Sequence, residues 1–156
     1  MLHHVANGFA RGVDRDDLMQ ELLLAVWRAV PAYRGAAGAS TFLYRVAHNA
    51  ALAWCRARKS YAARLDRFET LSPEAPLPAA SRDPAGRERE ALAHLYACIR
   101  VLPPVDRSLV LLQLEGLSYA EIAEVHGLSE TNVGARLSRI RQNLTASLKH
   151  IAHELR

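Results

Sequence analysis

Acidic residues are missing from one long stretch of this chain. Between Leu22 and Leu65 there is no Asp or Glu, yet the span carries Arg28, Arg34, Arg45, Arg56, Arg58, Lys59 and Arg64. A solvated protein face ordinarily mixes both signs, so a one-sign segment points to phosphates as a partner. Cysteine is scarce as well. Cys55 and Cys98 are the only two, and without a CxxC pair they exclude a disulfide framework or a zinc ribbon. Two idle thiols fit a reduced, cytoplasmic protein. No apolar run approaches the roughly 20 residues that span a bilayer, and the start lacks the basic-then-apolar pattern of a secretory signal, so no membrane insertion is expected. Strand-like alternation of apolar and polar residues is missing throughout. No nucleophile motif is present, and no metal or other cofactor is expected.

What is there reads as helix. Half of the 156 residues are apolar and the net charge is +4, which permits a core and a polyanionic partner. The stretch LSPEAPLPAASRDPAG, Leu71 to Gly86, holds four of the seven prolines and has no helical period, so it reads as a linker. The fold class expected is all-α, with two small helical modules joined by a flexible Pro-rich linker: residues 1–65, a linker over 66–87, and residues 88–156. In the first module Asp14 to Asp17 form an acidic helix start, followed by an apolar face of Leu18, Leu22, Ala25, Val26 and Ala29 up to Pro31. A Gly- and Ala-rich loop, Tyr33 to Ser40, leads to a helix capped by Ser40. That helix turns Phe42, Leu43, Val46, Ala47, Ala50 and Trp54 inward and presents Tyr44, Arg45, His48, Asn49, Arg56 and Lys59. In the second module Glu88 to Leu102 is amphipathic, Pro103-Pro104 stops it, and Val105 to Leu114 begins another helix.

The segment GLSYAEIAEVHGLSETNVGARLSRIRQNL, Gly116 to Leu144, is the most specific. Ser118 with Glu121 three residues on is a capping box. Ile122 and Val125 are apolar, Ala123 is small, and Gly127 allows a turn with positive φ. Ser129 starts a second, longer helix with an apolar stripe of Val133, Leu137, Ile140, Leu144, Leu148 and Ile151. Two helices across a short glycine turn make a helix-turn-helix, a pattern that places its second helix in a DNA major groove.

These segments, in this order, resemble the extracytoplasmic-function sigma factors of bacterial RNA polymerase, group 4 of the sigma-70 family. DRDDLMQELLLAVWRAVPAYRG and STFLYRVAHNAALAWCRARK match the first module of that family, and LPPVDRSLVLLQLEGLSYAEIAEVHGLSETNVGARLSRIRQNL matches its second, across a linker of suitable length. The resemblance covers most of the chain from Asp14 to Leu148. It implies a promoter-specificity factor that binds core RNA polymerase and directs initiation, with no catalysis of its own. It implies a polymerase contact at Asp17, Leu18, Gln20 and Glu21, with Trp27 either joining it or entering the core. It implies minus-ten contacts at Tyr33, Arg34, Ser40, Thr41, Tyr44, Arg45, His48, Asn49 and Arg56, with His48 on the surface. Minus-thirty-five contacts are implied at Thr131, Asn132, Arg136 and Arg139. The partners implied are core RNA polymerase, promoter DNA and, by family habit, an anti-sigma factor.

Three positions depart from the family. MLHHVANGFAR reads as the end of a helix that the family carries in fuller form. Phe42 stands where Trp is common. Gly134 and Ala135 replace a basic and a hydroxyl residue, and glycine inside a helix costs about 1 kcal/mol relative to Ala. Two other functions compete. A helix-turn-helix regulator that does not engage polymerase has no need of Asp17, Gln20 and Glu21 beside an acid-free basic segment. A metal enzyme built on Asp16, Asp17, Glu21 and His3 or His4 lacks a facing ligand cluster.

Overall fold

The structure is a computed structural model that describes residues 1–35, 38–65 and 84–154; the expected linker over 66–87 falls largely outside the described residues. Its elements are α1 (Leu2–Phe9), α2 (Gly12–Ala29), a 3-10 turn (Val30–Ala32), α3 (Ala39–Leu65), α4 (Pro84–Val101), α5 (Pro104–Leu114), α6 (Tyr119–His126) and α7 (Glu130–Glu154). There is no strand among the described residues, and no described helix is long and apolar enough to cross a membrane.

Two helix starts differ from the sequence expectation. Gly12, at φ +56°, lets α2 begin there, with Arg11 as its extended N-cap residue. Asp16 and Asp17 therefore lie beyond the first turn, and Asp14 is the acidic residue within it. Ser40 lies inside the first turn of α3 and does not cap it, because the Phe42 N–H already bonds to the Gly38 carbonyl at 2.9 Å. Both shifts lengthen a helix by absorbing small residues that tolerate the entry geometry.

The helices of the two expected modules, α1–α3 and α4–α7, are packed together around one core. α1 and α3 lie against α5, with α1 also on α4 and α3 on α6. Helix α5 explains the arrangement. Ser108, Leu109, Val110, Leu111 and Leu112 are all buried, and five successive residues point all round a helix, so the middle of α5 must be covered on every side. Its own module covers part, and Val5, Ala6, Phe9, Ala47 and Ala51 of the other module complete the same core. The approach is close enough to require a glycine. A Cβ on Gly8 would lie 2.6 Å from Cδ1 of Leu111. The Arg100 side chain donates to the Asn7 carbonyl at 2.8 Å across the same seam.

Candidate nucleic-acid interface

The helix-turn-helix is built by local rules. The Ser118 N–H donates to the Glu121 carboxylate at 2.8 Å, and the Glu121 N–H returns to Ser118 Oγ at 3.3 Å. Donation from the Ser118 hydroxyl, at 2.7 Å, and from the Ser118 N–H to the Glu121 carboxylate favours its ionised form and lowers the Glu121 pKa. Gly127 closes α6 in the left-handed region at φ +65°, a conformation glycine adopts without strain. Ser129 Oγ then accepts from the Asn132 N–H at 3.2 Å and starts α7. Ile122, Ala123 and Val125 meet Val133, Leu137 and Ile140 in the core. A Cβ on Gly134 would stand 3.4 Å from the Tyr119 ring, an ordinary contact, so packing does not require glycine there. Replacing Ser118 by Ala is expected to cost about 1 kcal/mol, seen as a fall of ~2–4 °C in melting temperature.

The outward face of α7 carries Thr131, Asn132, Ala135, Ser138 and Arg139, all exposed. Arg136 belongs elsewhere. It is partly buried on the flank of the helix, with its guanidinium 3.6 Å from the Asp106 carboxylate of α5. Of the four expected contact residues, Thr131, Asn132 and Arg139 thus share the exposed face of α7, and Arg136 is partly held by Asp106.

The expected minus-ten residues also divide. Arg34, Ser40, Asn49 and Arg56 are exposed, and Tyr33, half against the Phe42 ring at 5.0 Å, keeps an open edge. Thr41, Tyr44 and Arg45 are only partly open. The Tyr44 hydroxyl donates to Glu115 at 3.3 Å, and Arg45 donates to the Glu124 carbonyl at 3.1 Å. Burial and the Glu115 charge both raise the Tyr44 pKa. His48 is a correction: expected on the surface, it is 1% exposed. The expectation gave α3 one buried face. It has two, because Tyr44, Ala47, His48, Ala51 and Cys55, spaced three and four apart, lie toward the second module.

A third surface lies on α2. Asp17, Gln20 and Glu21 are exposed and, with Arg28 and Trp54, line a groove of about 680 Å³ between α2 and α3. Trp27, further along α2, is 75% exposed, so it is not core. Leu18 is the second correction: it is fully buried beside Leu22 and has no surface to offer polymerase. Arg15 bonds to Asp16 at 2.7 Å and lies 3.3 Å from His3, a cation where a metal reading needs an empty space between ligands.

Comparison with known proteins agrees with this geometry. Residues 1–61 match the family described as Sigma-70 region 2, and residues 92–144 match Sigma-70, region 4. The chain belongs to the sigma-70 family, in its extracytoplasmic-function (ECF) branch. It is 28% identical to the ECF RNA polymerase sigma factor SigM of Mycobacterium tuberculosis (strain H37Rv) over 155 residues, which is 96% of this chain and 72% of that protein. It is 29% identical to the ECF RNA polymerase sigma-E factor of Escherichia coli (strain K12) over 151 residues, 90% and 78% of the two chains. Its fold matches RpoE in the co-crystal with the anti-sigma factor NepR from Bartonella quintana, with a TM-score of 0.71, 21% identity and coverage of 95% and 89%. It also matches CnrH in complex with the cytosolic domain of CnrY, with a TM-score of 0.61, 24% identity and coverage of 96% and 80%.

This sigma factor directs transcription initiation by RNA polymerase at promoters, and the competing reading of a regulator that ignores polymerase is set aside. Sequence reasoning missed the residues of the sigma factor that join its two modules: Gly8, Ser108, Glu115, Glu124 and His126. One signal was present. Ser108 begins the run SLVLL, and a hydroxyl leading an apolar run calls for a buried partner.

Proposed function

We propose that the three surfaces divide the work of a promoter-specificity factor. Asp17, Gln20 and Glu21, with Trp27 beside them, form the contact with core RNA polymerase. Tyr33, Arg34, Ser40, Asn49 and Arg56 hold the displaced strand of the minus-ten element, and Thr41, Tyr44, Arg45 and His48 join them once the second module moves away. A glycine-bearing loop lets backbone approach a strand, arginines hold phosphates and the Asn49 amide reads a base edge. Thr131, Asn132 and Arg139 meet the minus-thirty-five element in the major groove. The working units are residues 1–65 and 88–156, joined by 66–87. The protein acts in the cytoplasm, without catalysis of its own. An anti-sigma factor is a further partner, supported by two related folds solved in complex with such proteins or with a cytosolic domain.

The observation that carries this reading is the outward face of α7: exposed polar residues and Arg139 on one side, a sealed apolar seam on the other. Arg139→Ala in the holoenzyme is expected to weaken binding to a minus-thirty-five duplex by about 1–3 kcal/mol and relax preference at one base pair. Arg136→Ala is expected to do less to base preference, because Asp106 already holds that side chain. Fluorescence anisotropy across a set of single-base variants separates them. Run-off transcription with core enzyme on a randomised promoter library defines the sequence read.

A further inference from the structure

In the closed form the seam between the modules has a polar centre whose contacts are all internal. His48 of α3 is buried with its Nδ1 against Ser108 Oγ of α5, and Ser108 Oγ is 2.8 Å from His126 Nε2 of α6. The two imidazole rings are 6.3 Å apart, centre to centre. One hydroxyl thus bridges two histidines from different modules. A serine has one proton to donate and lone pairs to accept with. The chain is satisfied when one facing ring nitrogen carries a hydrogen and the other does not. His48 Nε2, on the far side of its ring, is buried and has no hydrogen-bond partner. With both rings protonated, Ser108 faces two N–H donors and its own proton has no acceptor. Two like charges then also share a dry seam.

We propose that His48, Ser108 and His126 form a proton-sensitive latch that holds the two modules closed while both imidazoles are neutral and releases them when the rings take up protons. Release matters because the latch lies on the face of α3 that also carries Tyr44 and Arg45, whose side chains are occupied by Glu115 and Glu124 in the closed form.

The charges around the chain agree with this. On α3, the Tyr44 ring is 6.4 Å from the His48 ring and its hydroxyl donates a hydrogen bond to Glu115. On α6, Glu124 is taken by Arg45. On α7, Arg136 lies beyond His126 and pairs with Asp106 of α5. The carboxylates are thus engaged elsewhere, and no acidic group among the described residues pairs with the His48 ring. Burial and the neighbouring His126 lower the His48 pKa to about 3, and burial followed by Arg136 lowers that of His126. The closed form therefore binds fewer protons than the open one. Closure is fully favoured above the ordinary imidazole value of about 6.5 and is lost as pH falls below it, by about tenfold per pH unit for each histidine.

The test uses the full chain without polymerase, so its outcome is independent of the promoter reading. Small-angle scattering is recorded at about pH 7.5 and about pH 5.5, the latter still above the ordinary carboxylate range of roughly 3.9–4.3. The expected result is a compact particle at the higher pH and an extended one at the lower, with unchanged helix content by circular dichroism. The His48→Gln/His126→Gln protein is expected to have the same dimensions at both. Wild-type dimensions that do not change with pH, or a double variant that expands as the wild type does, overturn the latch. Imidazole Cε1–H resonances of the unmodified protein decide the matter if the double variant does not fold. Expansion in step with protonation of two histidines supports the latch, and protonation of both rings in a particle that stays compact overturns it.

Discussion

Replacing Leu18 by Ala is expected to destabilise the sigma factor by about 2–5 kcal/mol, the range for truncating a fully buried leucine. Leu18 lies on the inner side of α2 with Leu22, and neither side chain reaches solvent. Removing its isobutyl group leaves a cavity where α2 meets α1 and α3, and the three helices cannot all close on it. The measurement is a urea unfolding curve followed by circular dichroism. The midpoint should fall with little change in slope, because the surface exposed on unfolding is nearly the same. A Leu18 that served polymerase docking would behave in the opposite way, with normal stability and lost holoenzyme. An unfolding midpoint equal to that of the parent would return Leu18 to the contact surface.

The second large effect is expected on the other side of the same helix. Asp17 and Glu21 are four residues apart and both exposed, with Gln20 between them. Changing both acids to Lys should leave the unfolding curve nearly unaltered, since surface substitutions away from caps and networks stay within about 0.5 kcal/mol. Binding to core RNA polymerase should fall by about 100-fold or more, because each reversal removes an attraction and places like charge opposite the docking surface. Competition against the unmodified protein for limiting core enzyme measures this. Full competition by the double variant would remove α2 from the docking surface. Read together, the two experiments separate the faces of one helix: stability is lost on the inside and assembly on the outside.

How much of this was legible depends on the range of the forces involved. The helix-turn-helix could be read almost residue by residue, since Ser118 with Glu121, Gly127, Ser129 and the Val133, Leu137, Ile140 stripe each act within a few positions. Capping and periodicity are local, so sequence displays them. His48 could not be placed the same way. Its partner Ser108 is 60 residues distant, and nothing near His48 distinguishes a polar residue bound for solvent from one bound for a seam. Gly8 is similar: its lack of a side chain is explained only by Leu111. Leu18 was misread for a different reason. Resemblance assigned a run of neighbouring residues to polymerase, whereas a helix sends neighbours to different faces. Arg136 could not be placed from its own helix alone, because the Asp106 that holds it belongs to α5.

Helix α5, buried on every side at its middle, has a further consequence for how the protein behaves in solution. When the modules part, the faces of α1, α3 and α5 that met around Gly8, Ala47, Ala51 and Leu111 become wet together. Contiguous exposed apolar surface promotes self-association, and here it would be displayed by a chain that has not found its enzyme. Conditions that open the modules should therefore make concentrated protein cloudy before its helices melt, while core polymerase or a reclosed seam keeps it clear. The folded-up form is thus also the dispersible form, and a cell can hold the sigma factor in reserve without losing it to aggregates.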